Sequence, residues 1–271
     1  MNKTQLLLTI IAVLAVIGIY NLPKVVVDND RTDQVAFLDE AAPGGVVDHS
    51  SEVPEEVQPS IAYWKEEMNR AAGELEANKA LDSLMAVFEK INKYDSAAYF
   101  AELHAEKYNT IINWQKAGDA YYEAFTFALE QQKINRLGAK SRSAYDKVLA
   151  ERPNDLDVKH NVAMTLVGSS KPMEGIMMLR EILEKDPANE KSLMSMGLMS
   201  IRTNQFANGI ERFETLVKYY PNHVEGNFFL GVCYYENGDL VKARAQFEKV
   251  KKLGTDEQII TAADEYLERI S

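Results

Sequence analysis

Cysteine is almost missing from the 271 residues: Cys233 stands alone. That excludes an intrachain disulfide and any metal site built from several thiolates. Between Val232 and Tyr234, the residue reads as a small buried hydrophobe. A basic face is missing too, because 30 Lys and Arg against 41 Asp and Glu leave a net charge of −11. Nucleic acid is therefore not an expected partner, since its binding draws on counterion release by a basic surface. Clustered catalytic groups are also lacking. His49, His104, His160 and His223 are scattered, and none has a second His, Cys or carboxylate at a spacing such as HExxH. There is no glycine-rich phosphate loop, and Gly168-Ser169-Ser170-Lys171 reads as a turn between two helices. The sequence thus predicts no catalytic residue, no metal, no cofactor and no small-molecule substrate.

What is present begins with an apolar run. Leu6 to Leu22 carries no charge, and with Thr4 and Gln5 it would rise about 28 Å as a helix, close to the hydrocarbon thickness. A single membrane span through residues 4–22 is expected, within an anchor of residues 1–22. A cleaved signal peptide fits less well, because Tyr20-Asn21-Leu22-Pro23-Lys24 offers no small-x-small cleavage pattern. Lys3 on one side and Lys24 with Arg31 on the other leave the orientation rule nearly balanced. The short amino-terminal tail favours that end inside, with the bulk of the chain outside the cytoplasm; a cytoplasm-facing domain is the alternative.

Residues 23–57 hold three of the eight prolines and Gly44-Gly45, and from Val25 to Val57 there are nine acidic residues against Arg31 alone. Such a segment has too little apolar surface to fold and reads as an acidic flexible linker, spanning on the order of 30 Å. From Pro59 onward apolar residues recur at three and four positions, so the remainder is helical.

A repeat organises that remainder. Tyr145, Leu179, Phe213 and Phe247 are 34 residues apart, as are Pro153, Pro187 and Pro221. Ala163, Gly197 and Gly231 keep the same period, and so do Gly175, Gly209 and Ala243. Each unit then reads as helix, tight turn, helix. The small residues allow the two helices to approach, the large ones fill the space between hairpins, and proline ends the second helix. The asparagines after proline, Asn154, Asn189 and Asn222, are expected to cap the next helix.

This pattern resembles the tetratricopeptide repeat family, most clearly in Leu230-Gly231, Tyr234, Ala243 and Phe247, and in Met196-Gly197, Gly209, Phe213 and Pro221. Trp114, Ala117-Gly118 and Tyr121 match the opening of the family's motif, but proline follows about 11 residues late at Pro153, which predicts an insertion between Phe125 and Lys140. Leu81, Leu84, Phe88 and Lys93 to Ala98 mark a degenerate unit at about 77–110. The resemblance implies an all-α, right-handed superhelical solenoid of about five units over residues 77–255, after the transmembrane helix and the flexible linker. Capping helices are expected at 58–76, with Ile61, Trp64, Met68, Ala72 and Leu75 inward, and at 256–271, with Ile259, Ile260, Ala263, Tyr266, Leu267 and Ile270 inward.

In this family the first helix of each unit lines a concave groove that binds protein. The matching positions here are Ile112, Gln115, Asp119 and Tyr122; His160, Met164 and Val167; Lys191, Met194, Leu198 and Arg202; and Phe228, Val232, Tyr235 and Glu236. One subset of the family grips a terminal carboxylate with lysines and asparagines at two of these positions. Here they hold Gln115, Asp119, His160, Met164, Met194, Leu198, Phe228 and Val232, so no such clamp is expected. Six of the ten methionines fall between Met173 and Met199, which points instead to an apolar groove, although Met196 and Met178 read as packing. The implied function is a non-enzymatic scaffold that presents this groove to another protein or peptide in an envelope complex. The alternative is a chaperone-like factor for unfolded or translocating polypeptides, as in bacterial ancillary translocon subunits, which combine one span with a periplasmic repeat domain. The expected location is accordingly the bacterial inner membrane, with the repeats in the periplasm.

Overall fold

The computed structural model describes residues 53–254 and 256–270. The expected span and nearly all of the linker lie outside them. No helix among the described residues is long and apolar enough to cross a membrane. Twelve helices and no strand are found among these residues: α1 (Gln58–Arg70), α2 (Glu74–Lys90), α3 (Tyr94–Tyr108), α4 (Ile111–Thr126), α5 (Gln131–Glu151) and α6 (Leu156–Val167) form the amino-terminal half. They are followed by α7 (Pro172–Lys185), α8 (Glu190–Arg202), α9 (Phe206–Tyr219), α10 (Val224–Glu236), α11 (Leu240–Leu253) and α12 (Glu257–Ile270). Each helix packs on its neighbours in the chain, and α4 also touches α6 as α8 touches α10, so first helices of successive hairpins share one layer.

The 34-residue period is built by a ring seated on a missing side chain. A Cβ added at Gly118 would lie 2.6 Å from the Tyr145 ring, at Gly197 2.5 Å from Phe213, and at Gly231 2.8 Å from Phe247. Only a residue without Cβ lets the two helices of each hairpin close on that ring. The same rings reach the next layer: Phe213 stacks on Phe229 at 5.8 Å and Phe247 on Tyr266 at 4.8 Å. They therefore join both helices within a hairpin and hairpins to each other. Tyr145, Phe213 and Phe247 are fully buried as a result.

Helix starts correct one expectation. The caps are Asp155, Asn189 and His223, 34 residues apart, whose side chains each accept from a backbone N–H at 3.1 Å (Val158, Ser192 and Gly226). Asn154 and Asn222 lie one residue too early, because the chain leaving proline needs two residues before its next helix begins. Three intrahairpin turns also share a closure. The backbone N–H groups of Lys93, Gln205 and Asp239 each donate 2.8 Å bonds to Phe88, Ser200 and Tyr234, after Asn92, Asn204 and Gly238 at positive φ.

In the second hairpin α4 has 16 residues against 12 in α6, and α5 has 21 against 14 in α7. Both turns have four residues, so the extra residues lengthen both helices. At the amino-terminal end α1 stops at Arg70, and Gly73 takes an extended conformation before α2. Ala72 and Leu75, expected on the inner stripe of α1, lie past this break and are exposed, Leu75 at 72%. Ile61, Trp64 and Met68 do pack, against the layer around Phe88. At the other end Ala263 is buried, and Ile259, Tyr266, Leu267 and Ile270 cover the last hairpin.

Candidate binding site

The first helices bring the expected positions to one face, but the face changes character along its length. In α4, Asp119 is exposed and Gln115 half-buried, and both line an open depression of about 420 Å³ between α2 and α4. Ile112 stands on its rim, 69% exposed, and Met85 of α2 forms the opposite wall. Tyr122 turns away from this opening into the layer around Tyr145.

Polar bonds tie the wall of this depression to the next hairpins. The Tyr145 hydroxyl donates to Asp119 Oδ1 at 2.6 Å and accepts from Asn161 Nδ2 at 2.9 Å. Crowding by the helices raises the Asp119 pKa above the usual carboxylate range, against the Tyr145 hydrogen bond that lowers it. The carboxylate nevertheless stays open to solvent on its other side, so it remains available to a partner. Arg152 Nη2 donates to Gln115 Oε1 at 2.8 Å. Lys116 Nζ lies 2.6 Å from Asp82, and Lys191 Nζ lies 2.7 Å from Asp157, repeating one ion pair between successive first helices.

His160 departs from its expected role. It is only 6% exposed, its Nε2 is 3.0 Å from Ser195 Oγ, and it joins α6 to α8 inside the stack. Burial lowers its pKa, as it does that of His104. Met164, Met194 and Leu198 are half-buried against the cores beside them, while Arg202 is exposed at the end of α8. The methionines open to solvent are Met173 (59%) and Met177 (56%), which belong to the second helix α7. Met178 and Met196, read from the sequence as packing, do pack.

In the fifth hairpin the same positions are closed over. Val232 is 8% exposed, and Phe228 and Tyr235 both meet Tyr266 of α12 edge-on, with ring centres 6.1 and 5.2 Å apart. Phe228 and Tyr235, expected to face a partner, meet the terminal helix instead, because an end hairpin must cover its own apolar surface, and Val232 is buried in the core beside them. Cys233 is fully buried against Gly209, and burial pushes its thiol up to about 12, so it is not a reactive group. The signal that sequence reasoning missed is the wall supplied by α2, where Met85 sits three residues from Asp82.

A tetratricopeptide repeat model matches residues 201–257. No curated protein matches the chain. Among solved structures, the C-terminal part of a tetratricopeptide repeat-containing protein from Cytophaga hutchinsonii is similar at 12% identity and a TM-score of 0.53, over 79% of this chain and 83% of that one. MamA from Desulfovibrio magneticus is 19% identical over 65% of this chain and 93% of its own, at a TM-score of 0.47. YrrB, a tetratricopeptide protein with an unusual peptide-binding site, is 15% identical over 78% and 98%, at 0.45. Residues 201–257 thus match a tetratricopeptide repeat model, and the hairpin fold around them is similar to that of a solved tetratricopeptide repeat-containing protein.

Proposed function

We propose that this chain is a membrane-tethered scaffold that binds a segment of another protein along its first-helix face, within an envelope complex. The observation that carries this reading is the open depression between α2 and α4, where Ile112 is exposed although the layers around it are closed. An apolar side chain left in a concavity beside charged groups is the usual anatomy of a recognition site. Gln115, Asp119 and Arg202 are the polar contacts of this face, and Met194 and Leu198 its half-buried apolar floor. The uncharged run Leu6–Leu22 would hold the chain to the bacterial inner membrane, and the acidic segment after it would let the repeats reach a partner in the periplasm.

The test is site-specific photocrosslinking in cells, with the reactive group at Gln115 or Leu198 and, for comparison, at Glu184 on α7. One protein captured from the first-helix positions and not from Glu184 supports the reading. Equal capture from both faces removes the first-helix face from it. A reporter fused after Ser271 reads the side of the membrane, and recovery of the chain in the soluble fraction would defeat the tether.

A further inference from the structure

Asparagine followed by glycine occurs twice in the chain, at Asn208-Gly209 and at Asn237-Gly238. The pair is reactive because the backbone nitrogen of the second residue can attack the side-chain carbonyl of the first, and glycine has no Cβ to crowd that approach. The fold treats the two pairs differently. Asn208-Gly209 lies in the first turn of α9, where Gly209 is buried, its N–H donates to Gln205 O at 3.1 Å, and an added Cβ would lie 2.7 Å from Cys233 Sγ. The Asn208 side chain is held too, donating from Nδ2 to Gln205 Oε1 at 2.8 Å. Asn237-Gly238 forms the turn between α10 and α11; both residues are exposed, and nothing lies within 4 Å of where a Gly238 Cβ would stand. Gly238 has a φ of +84°, and its N–H donates to Tyr235 O at 3.0 Å. The Asn237 ψ of 0° must rotate before Cγ meets that nitrogen, so attack follows local opening. An exposed helix end opens at little cost, and a packed interior does not. The matching turns at Asn92 and Asn204 place Lys93 and Gln205 after asparagine, whose side chains shield the nitrogen.

We infer that Asn237 is a site of spontaneous modification to aspartate and isoaspartate, and that the fold protects Asn208 from the same reaction. The Gly238 nitrogen, having given up its proton, bonds to Asn237 Cγ, the Cγ–Nδ2 bond breaks, and ammonia leaves with that proton, which closes a cyclic imide. Water then opens the imide. Breaking the bond from Cγ to nitrogen gives aspartate, and breaking the bond from the main-chain carbonyl carbon to nitrogen gives isoaspartate. One ammonia leaves, one water enters, and no oxidant or cofactor takes part. The products differ in what they do to the turn. Isoaspartate routes the main chain through Cβ and Cγ and lengthens it by one atom. Across that bond Asp239 N–H donates to Tyr234 O at 2.8 Å, which closes α10, while the Asp239 side chain accepts from Lys242 N–H at 3.2 Å, which caps α11. A longer chain displaces Asp239 from this closure. Either product also sets a new carboxylate beside Glu236 at the carboxyl end of α10, where the helix dipole disfavours negative charge. The hairpin affected is the one on which Tyr266 of α12 rests.

The test is incubation of the folded full chain in mildly alkaline water enriched in heavy oxygen, followed by peptide mapping with fragment mass spectrometry. Each turnover leaves one labelled oxygen at the residue that reacted. Label should enter at residue 237 at least about tenfold faster than at residue 208, the difference between an open turn and a packed helix. In concentrated urea the two pairs should label within about twofold of each other, because the unfolded chain removes the distinction. Asn237→Ser should abolish the label in that peptide, with the circular dichroism of the helices unchanged. Equal labelling of both sites in the folded chain, or none at 237 while urea exposes both, overturns the proposal. A difference that persists in urea also overturns it, since the cause would then be neighbouring sequence and not the fold. In the aged chain the Gly238 and Asp239 amides should lose protection from hydrogen exchange, whereas Asn237→Asp, which adds the charge without lengthening the chain, should keep it. Retained protection in the isoaspartate form overturns the effect on the turn.

Discussion

The second and fifth hairpins carry the same framework and use it in opposite ways. In both, a glycine of the first helix receives the ring of the second, Gly118 with Tyr145 and Gly231 with Phe247. Yet Gln115 and Asp119 of α4 line an open depression beside the exposed Ile112, whereas Phe228 and Tyr235 of α10 are covered by Tyr266 of α12. The hairpin interior is set by the repeat; the face is set by what stacks on it. A position in the motif therefore tells where a side chain points, and only the next element tells whether it is free.

The comparison breaks most visibly at Phe247. Phe247→Ala removes a fully buried ring that contacts Gly231, Phe228 and Tyr266, and should cost about 3–5 kcal/mol in denaturant unfolding. Ile112→Ala on the open face should lie within about 0.5 kcal/mol, as exposed substitutions do. Comparable losses would mean that the two faces are equally packed. Gly118→Ala and Gly231→Ala ask the opposite question, whether the interiors are alike. Their added Cβ atoms would fall 2.6 and 2.8 Å from the rings, so both should cost about 1–3 kcal/mol by the same melts. A neutral result at one alone would separate the two interiors. Smaller again is the cap: Asp155→Ala should lose about 1 kcal/mol and Asn154→Ala nearly nothing, because only the former accepts from Val158 N–H.

Much of this was legible in the sequence. The 34-residue period in Gly197 and Gly231 with Phe213 and Phe247 points to hairpins, because a glycine and a ring at fixed separation describe one contact made repeatedly. The cap positions were legible only to within a residue, since Asn154 and Asp155 are both good cap formers and the turn after Pro153 decides between them. Phe228 and Tyr235 were placed on the groove although the capping helix with Tyr266 inward was also legible, because the motif assigns a position to the first-helix face and does not say that the cap covers that face of the last hairpin. His160 was misread because its partner, Ser195, is 35 residues away and lies off the periodic series. The depression itself depends on Met85 in the least regular unit, where the motif is weakest.

The smallest expected effect concerns the buried histidines, and it distinguishes the closed interior from the open face by sign. Burial lowers the folded pKa of His160 and of His104 below the ordinary value of 6.5. The unfolded chain then binds more protons than the folded one as pH falls through 6.5, so stability is full above that value and declines toward the lower folded values. Around His160 the Asn161 hydrogen bond, Asp157 and a hydrogen bond with the Lys191 backbone oppose burial while the Lys191 charge reinforces it; around His104 Lys116 and Lys107 reinforce it and Glu74 and Asp82 oppose it. On the open face the sign reverses. Glu89 and Asp119 have raised folded pKa values, so their contribution is present below the ordinary 4.5 and 3.8 and is lost as pH rises through the folded values. Thermal melts from pH 7.5 downward should therefore show a decline that begins near neutrality. His104→Asn/His160→Asn should flatten that limb, and Glu89→Gln should leave it in place while changing only the more acidic part. A decline untouched by the histidine variant would mean that these imidazoles are protonated without cost, and that the interior of α3 and α6 is as open to water as the depression beside α4.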